Sequence, residues 1–408
     1  MKLRHLVLWL VLLLGALVFL PAAQAQSNTC PGLVERAMSE IGTNCASLGR
    51  NSACYGFNNV LADFDTDVPD NYFSVPSDRA ELSSLRSIQT APLNETAGTW
   101  GIATLNVQAN LPGALPGQSV VFILLGNSEL ENAVPADEAL ILPEEPLEVT
   151  ALRAIALRRD PSSRAEVVGT IAGGTPLLAD GTSPDGNWLR VFFVADRLAS
   201  AWVNTGDVQA DSIDDLPVIR PDSRTPMQAF RFQTNVGGVD CSQAPSALFV
   251  QGPEDIEVDI SANGVDIRIG SSIILRTLED GSLQIFVISG GATLNPNSDN
   301  PLLIAPGFTT ICPVDAILNG NCDWEAIRMF NADEEIFLNL IQPLFQYAAN
   351  LLHYAPAIPE VVCASGVGGV ECELRFPNAG TALDRAAELC ATAALPASVC
   401  GSLFPGGD

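Results

Sequence analysis

Apolar and polar residues alternate in short runs along most of this chain, and turn-forming residues separate the runs. Ile256, Val258 and Ile260 alternate with Glu257, Asp259 and Ser261, and Val265, Ile267 and Ile269 alternate with Asp266, Arg268 and Gly270. A period of two places one set on a covered sheet face and the other in water. Asn263-Gly264 between the two runs is a strong hairpin signal. Ile273 to Leu275 and Leu283 to Ile288 extend the pattern, so residues 227–312 are expected to form a β-rich domain. Earlier, 101–108 alternates and Val120 to Leu125 is continuously apolar, with Pro112, Gly113, Pro116 and Gly117 between them. That predicts two strands joined by a loop.

Helical spacing appears in three places. Val34, Met38 and Ile41 predict a short helix over 31–41, tied by Cys30 and Cys45 at its ends. Ile336, Phe337, Leu340, Ile341, Leu344, Phe345, Ala348 and Leu351 predict a helix over 333–352. Asp333, Glu334 and Glu335 open it where the helix dipole favours acids, and Pro343 should kink or split it. A third helix is expected over 381–394, with Thr381 as N-cap and Cys390 facing inward.

The first residues follow another pattern. Lys2, Arg4 and His5 precede an apolar run from Leu6 to Leu20, and Ala23-Gln24-Ala25 offers a small-residue cleavage site. This predicts a signal peptide over 1–25 and a secreted or extracytoplasmic protein beginning at Gln26. A spanning helix wants about 20 apolar residues; no later run reaches that, so the mature protein is expected not to span a membrane.

Between Leu147 and Gln209 the motifs follow a recognisable order. Ala156-Leu157-Arg158 with Pro161, then Val167-Val168-Gly169-Thr170-Ile171, Gly174-Thr175-Pro176-Leu177-Leu178, Gly186-Asn187-Trp188-Leu189-Arg190-Val191 and Ala201-Trp202-Val203 succeed one another. The segment resembles the bacterial SH3 family of exported proteins, departing from its pattern at Ala156 and Ala201. The resemblance implies a small SH3-like β-barrel that binds peptide or cell-wall polymer in a groove beside the turn after Arg158. Trp188, Phe192 and Trp202 would floor that groove, with Arg158 at its edge. Residues 227–312 also resemble, distantly, the extracytoplasmic β domains of FecR-type proteins, with no residue carried over.

The expected fold class is therefore multidomain and mainly β with α+β parts. The expected order is a signal peptide (1–25), an N-terminal α+β or β domain (26–136), the SH3-like barrel (147–209), a β-rich domain (227–312) and a helical, disulfide-tied, Cys-rich region (313–405). Acidic, proline-bearing linkers at 137–146 and 210–224 separate them.

Charge and inventory narrow the chemistry. The formal net charge is −27, and every cation after His5 is arginine. Such a field repels polyanions, so nucleic acid is not an expected partner. With no lysine after Lys2 and His353 as the one later histidine, Schiff-base lysines, phosphate-loop lysines and multi-histidine metal sites are excluded. No cofactor is expected. His353 beside Tyr354 reads as a packed or helix-terminal residue, and no G-x-S-x-G occurs.

All ten cysteines, Cys30, Cys45, Cys54, Cys241, Cys312, Cys322, Cys363, Cys372, Cys390 and Cys400, follow the signal, and an even set in an oxidising compartment reads as disulfides. Pairing of Cys241 with Cys312 and two bonds among the last four are expected. A bond between clusters and free thiols stay open as alternatives. Asp63, Asp65 and Asp67 begin a calcium-loop pattern that then fails at Val68 and Ser74; calcium there is a minority alternative to a solvated turn.

The composition favours binding over turnover. The leading reading is an exported protein that uses the SH3-like module to hold peptide or cell-envelope material. The alternatives are a structural or adhesive surface component that meets other surface proteins, and an envelope-targeted hydrolase using carboxylates.

Overall fold

The structure, a computed structural model, describes residues 30–46, 48–108, 119–143, 146–194, 198–210, 212–234, 246–252, 257–313, 322, 326–334, 338, 344, 347 and 348. The signal expected at 1–25, His353, the helix expected at 381–394 and nearly all of the Cys-rich region lie outside these residues.

Helix α1 (Cys30–Asn44) comes first, followed by β1 (Ser52–Phe57), β2 (Val60–Phe64), β3 (Arg79–Glu81), β4 (Leu85–Thr90), β5 (Ile102–Val107), β6 (Val120–Leu125) and β7 (Ser128–Asn132). The middle of the chain holds β8 (Leu147–Ala151), β9 (Ile155–Arg158), β10 (Val167–Ile171), β11 (Pro176–Thr182), β12 (Trp188–Val194), β13 (Leu198–Asn204) and β14 (Val208–Gln209). The return half holds β15 (Ala229–Thr234), β16 (Ala247–Gln251), β17 (Val258–Ala262), β18 (Val265–Ile269), β19 (Ser272–Thr277), β20 (Leu283–Ser289), β21 (Ala292–Leu294), β22 (Leu302–Ile304), β23 (Phe308–Cys312) and β24 (Arg328–Met329). The chain is thus mostly β, and none of its described helices is long and apolar enough to cross a membrane.

These strands build three sheets. A nine-stranded sheet runs β24-β23-β20-β19-β16-β6-β5-β1-β3, an eight-stranded one β2-β4-β7-β15-β17-β18-β21-β22, and a seven-stranded one β10-β9-β13-β12-β11-β8-β14. The continuous apolar run of β6 is explained by its place in the nine-stranded sheet. Phe122 and Leu124 face the core shared with the eight-stranded sheet, while Val121, Ile123 and Leu125 face Leu33, Val34, Ala37 and Ile41 of α1. A strand covered on both faces has no polar side to alternate. By contrast β17 and β18 keep their alternation because the eight-stranded sheet has one wet face. Asn263 and Gly264 join them, both at positive φ (52° and 84°), as the tight turn requires.

The expected separation of 26–136 from 227–312 needs correction. Strand β6 pairs with β16 from Val121↔Gln251 to Leu125↔Ala247, and β7 pairs with β15 from Ser128↔Thr234 to Asn132↔Phe230. One core holds Phe122 and Leu130 from the first half beside Phe230, Ile260 and Ile273 from the second. The physical reason is edge exposure. Alone, the first half would end on β6 and β7, two strands with unpaired backbone, and the second half supplies the strands that cover them. The seven-stranded sheet, with its own core, is inserted between the halves.

Two disulfides are described. Cys45 bonds Cys54, tying the end of α1 to β1, and Cys312 bonds Cys322. The second overturns the expected pairing of Cys241 with Cys312, and the first, left open by the sequence, joins Cys45 to Cys54 rather than to Cys30 across α1. Helix geometry explains the first. A 15-residue helix spans about 22 Å, whereas bridged cysteines need Cα atoms within about 7 Å.

The helix expected from Asp333 begins one residue earlier, with helical residues at 332–334 and again at 338, 344, 347 and 348. The Asn331 side chain accepts from the Glu334 N–H (2.9 Å), and the Glu334 carboxylate accepts from the Asn331 N–H (2.9 Å), a reciprocal cap. Glu334 is only 4% exposed. Burial alone would push its carboxyl up, but the Arg328 fork (2.7 and 2.8 Å), the Asn331 N–H and the Gln284 amide (3.0 Å) outweigh burial and hold it below its ordinary 4.5. A carboxyl depressed on folding contributes stability that is present above the unfolded value and lost as pH falls through the folded one. We therefore expect the unfolding free energy to fall more steeply from neutral pH to about pH 3 in the wild type than in Glu334→Gln. Urea titrations across that range check it, and parallel slopes would contradict the assignment.

Candidate functional site

The site expected from sequence lies on the inserted sheet, whose two faces follow from strand alternation. Leu189 and Val191 of β12, Ala201 and Val203 of β13, Leu177 and Ala179 of β11, and Ile155 and Leu157 of β9 point into one core. Their neighbours Trp188, Arg190 and Phe192, Trp202, Asp180, and Arg158 therefore share the opposite face. Cross-strand register sets Trp202 opposite both Arg190 and Arg158. The four residues expected to bind ligand are thus brought to one face.

They are not open to solvent there. Trp188, Trp202 and Phe192 are 8%, 9% and 5% exposed. Trp188 and Trp202 cluster with Leu140 and Leu142 from the incoming connector and Ile219 from the outgoing one. The reading of both connectors as solvated linkers is corrected accordingly: Asp137, Glu138, Asp214, Asp215 and Asp222 are exposed, but these three apolar side chains pack. Arg158 is half-buried, and its Nη1 donates to the Ala165 carbonyl (2.7 Å), bracing the turn between β9 and β10.

Sequence reasoning missed the charge pair in the middle of this face. Arg190 donates through Nε and Nη2 to both Asp180 oxygens, each at 2.8 Å, and the two side chains are only 9% and 6% exposed. Asp180 sits at a register shift between β11 and β12, where Ala179↔Val191 gives way to Gly181↔Arg190. The available signal was a lone acid inside an apolar strand, with a lone arginine on the next strand in sequence.

The same bulge receives the outgoing connector. The Thr182 N–H donates to the Pro217 carbonyl (2.9 Å) and the Ile219 N–H to the Thr182 carbonyl (2.7 Å), a short parallel bridge of Thr182 with Val218. Glycine is needed beside it, because a Cβ on Gly181 would stand 2.3 Å from Ile219 Cδ1.

At the other end of the insert, β10 is an edge strand. Val167 is 50% exposed, Arg164 in the preceding turn is exposed, and Arg159 pairs with Glu166 at the surface (2.8 Å). The edge carries no Pro or charged side chain within Val167–Ile171 to block pairing with another strand.

A second concavity, of about 660 Å³, lies on the wet face of the eight-stranded sheet. Glu129, Glu131, Arg231 and Gln233 floor it, and Ser261, Asn263 and Gly264 wall it. Most of its polar side chains already have partners. Glu129 accepts from Gln89 (2.7 Å) and Gln233, Glu131 pairs with Arg231 (3.7 Å), and the Asn263 amide bridges the Phe232 N–H and carbonyl.

Asp63, Asp65 and Asp67 are all exposed and spread along the end of β2, and Asp65 is paired with Arg86 (2.8 Å). Among the described residues no three His, Cys, Asp or Glu side chains gather as a metal site. Only Asp63 lies on β2, which ends at Phe64; Asp65 follows in the bend and Asp67 just after it. Comparison of the chain with protein-family models, curated proteins and solved structures returns no match.

Proposed function

We propose that this is an extracytoplasmic binding protein whose inserted unit, residues 147–209, is an SH3-like barrel that captures peptide or cell-envelope polymer beside the turn after Arg158. The observation that carries the reading is that the insert has its own core and presents an unguarded edge. Strand β10 offers backbone groups with no strand partner among the described residues, flanked by the exposed Val167 and Arg164. Extended peptides add to such edges through main-chain hydrogen bonds, with neighbouring side chains supplying selectivity. Arg164, exposed in this turn on a chain with a formal charge of −27, favours a ligand bearing an acidic group. The export-type leader and the two disulfides support the compartment.

Retention on purified cell wall tests the reading. The wild type is expected to be retained, and a chain in which residues 147–209 are replaced by a short Gly-Ser linker is expected to pass through. Val167→Asp and Arg164→Glu should each weaken retention without changing the unfolding midpoint. Equal retention of the deleted chain would remove the proposal.

A further inference from the structure

We infer that the outgoing connector, Leu216-Pro217-Val218-Ile219-Arg220-Pro221, is a tethered ligand of the insert's aromatic face, holding closed a second docking site for extended peptides of the pattern Pro-x-Ile. The inference deepens the proposed function and rests on the insert being a peptide-binding unit.

The geometry is that of a bound peptide. The segment runs beside the bulge of β11 and exchanges two main-chain hydrogen bonds with a single residue, Thr182. One apolar side chain, Ile219, is buried (6% exposed) against Trp188 and Trp202, while Val218 beside it is 39% exposed. Alternation of a covered and an uncovered side chain, with backbone bonds in register, is how an added strand is read. The receiving side is shaped for a chain: Gly181 leaves the volume that Ile219 and the Pro217 carbonyl occupy, at 2.3 and 3.0 Å from where a Cβ would stand.

The attachment is also small enough to exchange. At the bridge Val218 remains 39% exposed, and Leu216 is only half-buried against the insert's core, so the connector covers the tryptophans without being sealed over itself. A tethered segment competes at an effective concentration in the millimolar range for short linkers. It therefore suppresses weak ligands and yields to strong or clustered ones.

The test uses the full chain and the peptide Leu-Pro-Val-Ile-Arg-Pro-Asp, which copies residues 216–222. In Ile219→Ser the tether loses its anchor. The free peptide is expected to bind that variant at least about tenfold more tightly than the wild type, with a change in tryptophan fluorescence, whereas a scrambled peptide does not bind. Adding Gly181→Val should abolish this binding by filling the seat. A folded Ile219→Ser chain that ignores the peptide, or binds it no better than the wild type, overturns the inference.

A second arm needs no variant. In the wild type, the Ile219 amide should exchange with deuterium through an opening cheaper than that of the Leu189 and Val191 amides. Exchange of Ile219 only with global unfolding of the insert would make the connector a strut and also overturn the inference. Failure of wall retention with success here would remove the polymer ligand but keep the tether; the converse would keep the β10 edge and remove the gate.

Discussion

Truncating Phe249 to alanine is expected to cost the two-sheet body about 3–5 kcal/mol and to loosen strands far away in sequence. Phe249 is fully buried on β16, opposite Ile123 of β6 on one side and Ile274 of β19 on the other. It packs in the layer that α1 closes, so its removal opens a cavity that the surrounding strands cannot easily fill. Because β6 is paired to β16, amides of 102–107 and 120–125 should lose protection together with those of 247–251. Those of 188–194 should keep theirs. Peptide-resolved hydrogen exchange reads this directly, and unchanged protection of 120–125 would mean that the two halves do not share a sheet.

The second large effect belongs to the insert. Removing one partner of the buried Asp180–Arg190 pair leaves the other charge without compensation, at a cost of about 3–5 kcal/mol. Asp180→Ala is therefore expected to unfold the seven-stranded sheet well before the body. It would release Trp188 and Trp202 to water while Trp100, fully buried under α1, stays covered. The double replacement Asp180→Leu with Arg190→Met should recover most of the loss, since apolar isosteres of a buried pair are often neutral or better. Denaturant curves of the single and double variants check it. A single variant as stable as the wild type would show that the pair is solvated in solution.

Local patterns were readable where one residue type admits one backbone answer. Asn263-Gly264 supplies two positive-φ positions between alternating runs, and β17 and β18 form around it as expected. The apolar run of β6 likewise marked a strand, and the spacing of Val34, Met38 and Ile41 marked α1, although the helix continues to Asn44.

What could not be read is pairing between distant segments. Strand β6 has two apolar faces, which show that both are covered, but no local feature says that its next neighbour is β16, beyond an entire inserted sheet. The aromatic face shows the same limit. Alternation placed Trp188 and Trp202 together, yet an exposed groove and one covered by Leu140, Leu142 and Ile219 have the same pattern on the strands themselves. The covering residues sit in connectors whose acids suggested solvent. The pairing of Cys312 with Cys322 rather than with Cys241 is set by how the chain folds back after β23, which no local pattern records.

The most direct test of this architecture is equilibrium unfolding of the chain with residues 147–209 replaced by a short Gly-Ser linker, followed by hydrogen exchange of β6 and β16. The shared body predicts one cooperative transition at the midpoint of the wild-type body, with both strands exchanging at the same free energy. Two separate transitions, one for each flank of the deletion, would contradict it.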